Sequence, residues 1–140
     1  MKIYITVNDI LTSSGKYPER AAHPECTNEV KTNAAKLCDA VNALFTDLKY
    51  KSNLTVNSGF RTSEVNKNIP NAAKKSQHML GNAVDLSDVD GKLDELLTLD
   101  ATDVLLKKHG LWVEDPSVTR FWTHLDCKDR GKRSKNIFKP

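Results

Sequence analysis

The run from residue 28 to about 49 constrains the fold more than any other segment: Val30, Ala34, Leu37, Cys38, Val41, Leu44, Phe45 and Leu48 recur at three- and four-residue steps. That spacing puts them on one face of a long amphipathic helix. A stripe of this length needs a partner surface, and the apolar runs available to cover it are of strand length, at residues 54–57, 111–114 and 120–126, together with the short Ala-Val-Asp-Leu run at 83–86. Residues 2–7 alternate as a further strand. A second helical run, residues 92–109, offers Leu93, Leu96, Leu97, Val104, Leu105 and Leu106 to the core and stops at Gly110. A shorter helix begins around Thr62, Glu64 and Val65 and ends by Pro70. The order predicts an α+β fold, a single domain with a small antiparallel sheet backed by helices. At 140 residues the chain can bury about two thirds of its unfolded surface, enough for one core. It divides into an N-terminal strand and linker of about 1–27 and a core of about 28–140, with no internal repeat.

Two segments carry chemistry on this scaffold. Residues 76–85 read Ser-Gln-His-Met-Leu-Gly-Asn-Ala-Val-Asp, and residues 121–126 read Phe-Trp-Thr-His-Leu-Asp. His78, Asp85 and His124 offer two imidazoles and a carboxylate, the donor set of a catalytic zinc that keeps one position open for water. His78 and Asp85 are too far apart to be neighbours on one helix, where ligands sit three or four residues apart. The chain must turn back between them, and Gly81 supplies the conformational freedom for that reversal. A loop would then give one ligand and a strand the next. Arg61, in the run Ser-Gly-Phe-Arg-Thr-Ser at 58–63, adds a cation to the same group of segments.

In this order the three segments resemble peptidase family M15, the zinc peptidases of the D-alanyl-D-alanine carboxypeptidase and phage endolysin type. Members carry a Ser-Gly-Tyr-Arg-Ser-like segment, then Ser-x-His-x-x-Gly-x-Ala-x-Asp, then a Trp-x-His or His-x-Asp strand. The resemblance extends from the helix after Cys26 to the C-terminus. It implies a hedgehog/DD-peptidase-like fold, zinc (Zn2+) held by His78, Asp85 and His124, and substrate contacts from Arg61, Ser76 and Gln77. Arg61 suits a substrate carbonyl or carboxylate because its charge does not titrate in the working range and its planar fork presents two donors at once. The implied reaction is hydrolysis of an amide bond in peptidoglycan stem peptides by a phage-type endolysin endopeptidase. Two alternatives stand beside it, a D-alanyl-D-alanine carboxypeptidase and a non-catalytic zinc-bearing binding module, a use that hedgehog-type signalling domains make of the same fold.

The general base departs from the family's patterns, in which an acid or His precedes the last ligand. Here the positions two and three before His124 are Trp122 and Phe121, which cannot move a proton. Asp126, two residues after His124, would share its strand face and is the first choice. Glu114 and Asp115 compete with it, and Asp126 could instead orient a ligand from behind.

Charge and composition bound the partners. A net charge of +3 is an ordinary soluble surface that would also favour approach to anionic envelope polymers. No apolar run reaches the roughly 18 residues of a membrane span, and residues 1–7 are too short and interrupted for a signal peptide. The expectation is a monomer made in the host cytoplasm and released to the wall through a separate pore. The cations Lys128, Arg130, Lys132, Arg133 and Lys135 could neutralise phosphates, but no stacking platform or reading helix accompanies them, so nucleic acid is not expected as a partner. Cys26, Cys38 and Cys127 show no Cys-x-x-Cys spacing and read as free thiols, Cys127 being a minor candidate for metal contact. The alternating acids of residues 87–91 lack the full ligand series of a calcium loop and read as a turn.

Overall fold

The computed structural model describes residues 2–140. The helices are α1 (Val7–Thr12), α2 (Asn28–Asp47), α3 (Ser63–Lys67), α4 (Lys92–Leu97) and α5 (Asp100–His109), with 3-10 turns at Pro18–Ala22 and Gln77–Leu80. The strands are β1 (Val56–Ser58), β2 (Ala83–Ser87), β3 (Trp112–Glu114), β4 (Trp122–Asp126) and β5 (Ile137–Phe138). They form one five-stranded sheet in the order β1-β2-β4-β3-β5.

α2 is the helix the sequence predicts. Thr27 caps it by accepting a hydrogen bond from the Val30 N–H, and Val30, Ala34, Leu37, Cys38, Val41, Leu44 and Phe45 are buried along its inner face. Full burial of a Val, Leu or Phe side chain contributes about 1.5–3 kcal/mol. They pack against Val84, Leu86, Val113 and Leu125 of the sheet and against Ile10 and Leu11 of α1 in a single core. At the far end His109 Nε2 meets Asp47 Oδ2 at 2.7 Å and ties α5 to α2.

Alternation along each strand leaves the other sheet face to polar and aromatic side chains. Asp85 lies opposite His124 and Ala83 opposite Asp126. Trp112 lies opposite Asp126 on the other side of β4, and Glu114 opposite Phe138. This second face carries the site.

Three expectations need correction. Residues 2–6 are not a strand, because the Tyr4 and Ile5 N–H groups both donate to the buried Asn42 Oδ1 at 2.8 and 3.0 Å, and Asn42 Nδ2 donates back to Ile5 O. One side-chain amide of α2 does the work of a neighbouring strand, and Thr6 then opens α1 with a capping box to Asp9. The helical run 92–109 is two helices. Thr98 closes the first, its hydroxyl donating to Asp94 O at 2.7 Å, and the break turns α5 so that Thr102, Asp103 and Leu106 face inward while Val104 is exposed. The sheet is mixed rather than antiparallel, since β3 and β5 run parallel. β5 itself was not expected, its two residues being too short to register as a periodic run.

Candidate metal centre

His78 reaches the sheet through a turn built by its neighbours. The Ser76 hydroxyl accepts from the His78 N–H at 3.2 Å, Gln77 Oε1 accepts from Asn82 Nδ2 at 3.2 Å, and Gly81 ends the turn at φ 77°. That φ lies in the left-handed region glycine favours, and a Cβ at Gly81 would also stand 2.6 Å from Val30 O, so α2 sets how closely the turn can approach. Ser76 and Gln77, read as substrate contacts, spend these atoms on shaping the turn. Asp85 comes from the middle of β2 and His124 from the facing position of β4.

These three buried residues each offer a donor atom within 4.8 Å of the others. His78 Nε2 lies 3.3 Å and His124 Nδ1 2.8 Å from the same oxygen, Asp85 Oδ1. Tetrahedral zinc with bonds of about 2.0–2.1 Å separates its ligand atoms by roughly 3.3–3.4 Å, so the group fits after a shift of about half an ångström at His124.

The outer atoms of both rings are fixed in the sense that such a centre needs. His78 Nδ1–H donates to Gly59 O at 2.8 Å, and a carbonyl can only accept, so in the neutral ring Nε2 keeps its lone pair for the centre. Gly59 can serve here because it is pressed against α1, where an added Cβ would stand 2.0 Å from Ile10 O. His124 Nε2–H donates to Asp126 Oδ2 at 2.8 Å, leaving Nδ1 to face inward. Asp126 is held in turn by Arg130, with NH1 to Oδ1 at 2.6 Å and NH2 to Oδ2 at 3.0 Å. A carboxylate behind a ligand imidazole fixes its tautomer and raises its basicity.

The electrostatics ask for a cation at the centre. Burial works against charge on His124, yet the hydrogen bonds and negative charge of Asp126 and Asp85 push its pKa up to about 10. Burial would raise Asp85, but the neighbouring His78 and His124 hold it well below the usual carboxylate range. Between two carboxylates a proton fills the role in the bare site, and a divalent cation fills it better.

Asp126, the first choice for a proton carrier, is 1% exposed with both oxygens engaged behind His124, while Asp85 stands at the opposite ring nitrogen, Nδ1. Asp115 turns away, accepting the Ser117 N–H at 2.9 Å. Glu114 faces the centre. Continuing the pairing of Trp112 with Asp126 and Val113 with Leu125 sets it across from His124. Burial raises the Glu114 pKa, and the negative Asp85 and Asp126 add to the rise against the pull of His124.

Arg61 closes the opposite wall. It donates to Ser58 Oγ at 3.0 Å, to Asn66 Oδ1 at 3.4 Å and to Asp85 Oδ2 at 3.2 Å. Three of its five N–H donors are thereby used and two remain for a ligand. Cys127 stays outside the group, its thiol donating to Asn82 O at 3.6 Å. Sequence reasoning did not single out Arg130 as a partner of Asp126, although the four-residue offset and opposite charge were legible.

Comparison with known proteins adds one match. The family model described as Peptidase M15 fits residues 3–126, most of the chain. No curated protein matches it.

Proposed function

The chain belongs to the peptidase M15 family, whose members are metallopeptidases, and from that premise we propose that it hydrolyses an amide bond in peptidoglycan stem peptides as a phage-type endolysin endopeptidase. The observation that carries the reading is the convergence of His78, Asp85 and His124 on one point, with Arg61 and Glu114 on either side of it. The ion we infer is zinc, from the two-imidazole, one-carboxylate donor set. Bound there, zinc supplies Lewis acidity toward a water and the scissile carbonyl.

The protein's own groups do the rest. Arg61 directs its two spare N–H donors at the carbonyl oxygen and stabilises the oxyanion as it forms, a role worth roughly 100- to 1000-fold in rate. Glu114 takes a proton from the attacking water onto its carboxylate and returns it to the leaving amine. Its raised pKa suits a base that must also act as an acid near neutral pH. Asp126 and Arg130 keep the His124 ring oriented throughout.

No helix among the described residues is long and apolar enough to cross a membrane. In this reading the protein is made in the host cytoplasm and meets the wall after release through a separate pore. The test is a turbidity assay on purified peptidoglycan, with chelator and zinc re-addition, followed by mass analysis of the fragments. Zinc-dependent clearing with new amino termini on stem peptides is the expected result. Release of D-alanine without clearing would make the enzyme a carboxypeptidase. Bound zinc without any cleavage would replace the proposal with a non-catalytic binding module.

A further inference from the structure

The net positive charge of this protein comes from one segment. Residues 127–140 hold six of the 21 Lys and Arg but one of the 18 acidic residues, so this segment carries +5 and residues 1–126 carry −2. The family match ends at residue 126, so the segment lies beyond it. It leaves β4 just after Asp126, crosses the end of β3 and returns as β5 on the far side.

This strap is fixed to the fold at several points, and the fixing consumes some of its cations. Arg130 is committed to Asp126 and lies over the Phe138 ring at 3.5 Å. Lys107 of α5 donates to Asp103 and to Ser134 O at 2.6 and 2.7 Å, and Asn136 N donates to Asp103 Oδ1 at 2.6 Å. Lys135 pairs with Asp100. Lys132 and Arg133 are exposed, and among the described residues neither makes an ion pair. Both line a cavity of about 440 Å³ whose wall includes Trp112, Lys107 and Asn136. The Arg133 guanidinium lies 5.8 Å from the centre of the Trp112 ring. The one acid on the wall, Asp129, turns an oxygen to the Gly131 N–H at 2.8 Å.

Trp112, on the wall of this cavity, relates it to the strand that carries the metal centre. Trp112 faces Asp126, two residues along β4 from His124, and that step on a strand is about 7 Å. An extended peptide lying over the centre covers the same distance in about two residues. We propose that Lys132 and Arg133, on the cavity wall with Trp112, form an anion subsite that takes a free carboxylate of the substrate one to two residues from the bond that is cut. The inference rests on the peptidase reading for its substrate, and it selects among stem-peptide bonds by the charge beside them. Two cations with no internal partner favour a carboxylate through charge-assisted hydrogen bonds, and the attraction weakens as salt is added.

The experiment measures binding rather than turnover. A stem-peptide analogue with its cleavable amides reduced is titrated into the zinc-loaded protein at low and high salt, once with free carboxylates and once fully amidated. The free acid should bind about tenfold more tightly, with the margin shrinking in salt. K132Q/R133Q should cut the preference to less than about twofold while the affinity for the amidated analogue and the bound zinc stay unchanged. These two positions are exposed, so the variant tests binding rather than folding. Equal affinity of the wild type for both analogues, or a preference that survives the double substitution, would overturn the subsite. Hydrolysis of natural peptidoglycan is scored separately, so a preference in binding without cleavage would sink the peptidase and leave the subsite standing.

Discussion

Two buried acidic clusters lie at successive points of the same strand pair, and they behave in opposite ways. At the centre of β2 and β4, Asp85 and Asp126 sit among His78, His124, Arg61 and Arg130, and both carboxyls are held below their usual range despite burial. Asp88, three residues on from Asp85, and Asp94 of α4 are also buried, but hydroxyls and backbone N–H groups surround them. Asp88 accepts the Leu93 and Asp94 N–H groups at 2.8 and 2.9 Å and the Thr123 hydroxyl at 3.1 Å, so it caps α4 from outside. Asp94 accepts from Thr119 at 3.2 Å, its other oxygen has no hydrogen-bond partner among the described residues, and burial pushes its pKa up to about 6. Burial alone makes a carboxylate reluctant to ionise; cationic partners reverse the sign. The first cluster is therefore poised to hold a metal ion, and the second to hold a helix end.

The sharpest break in this contrast is Asp85→Ala. Removing the oxygen shared by both imidazoles should abolish zinc retention and activity together, read as bound metal after gel filtration and as turnover; normal metal content in this variant would sink the three-residue centre. Next in size is Glu114→Gln, which should lower kcat by about 100- to 10,000-fold with zinc content unchanged. In the wild type the acid limb of the pH–rate profile should lie above the ordinary Glu range, because the Glu114 pKa is raised. The same limb persisting in the variant would remove Glu114 from the reaction. Asp126→Asn tests the ring-orienting role and should weaken zinc affinity by about 10- to 100-fold. A variant that binds zinc as the wild type does but cannot move a proton would instead return the base to Asp126.

The smallest effect belongs to the second cluster. Burial pushes the Asp94 pKa up to about 6 from the ordinary aspartate value of 3.8, so the folded state binds its proton more tightly than the unfolded chain. Its contribution to stability is fully present below the unfolded value and is lost as pH rises through about 6, a decline on the order of 2–3 kcal/mol. Asp94→Asn should flatten that decline in denaturant melts between pH 4 and 8. An unchanged slope would mean that a neighbour, not Asp94, carries the proton.

Much of the first cluster was legible in the chain and little of the second. His78, Asp85, His124 and Arg61 stand in short ordered segments, and Gly81 marks the reversal that brings the first two together. The choice among Asp126, Glu114 and Asp115 was not legible, because it depends on which strand lies beside β4. Asp126 shares the face of His124, as alternation requires, but it approaches the outer ring nitrogen. Glu114 reaches the inner side only because β3 pairs with β4. Asp88 and Asp94 looked like turn and helix residues, and nothing local announced that two threonines of distant segments would be their partners.

The sequence by itself determined the long helix, the strand-length runs and the identity of the three clustered donors, because periodicity and residue chemistry are local properties. Only the tertiary structure decided that Asn42 would replace a strand beside residues 4 and 5, that β5 would join β3 in parallel, and which carboxylates would face cations. Those outcomes depend on which distant groups share a low-dielectric space, and there the same side chain is pushed up or down by several kcal/mol according to its neighbours.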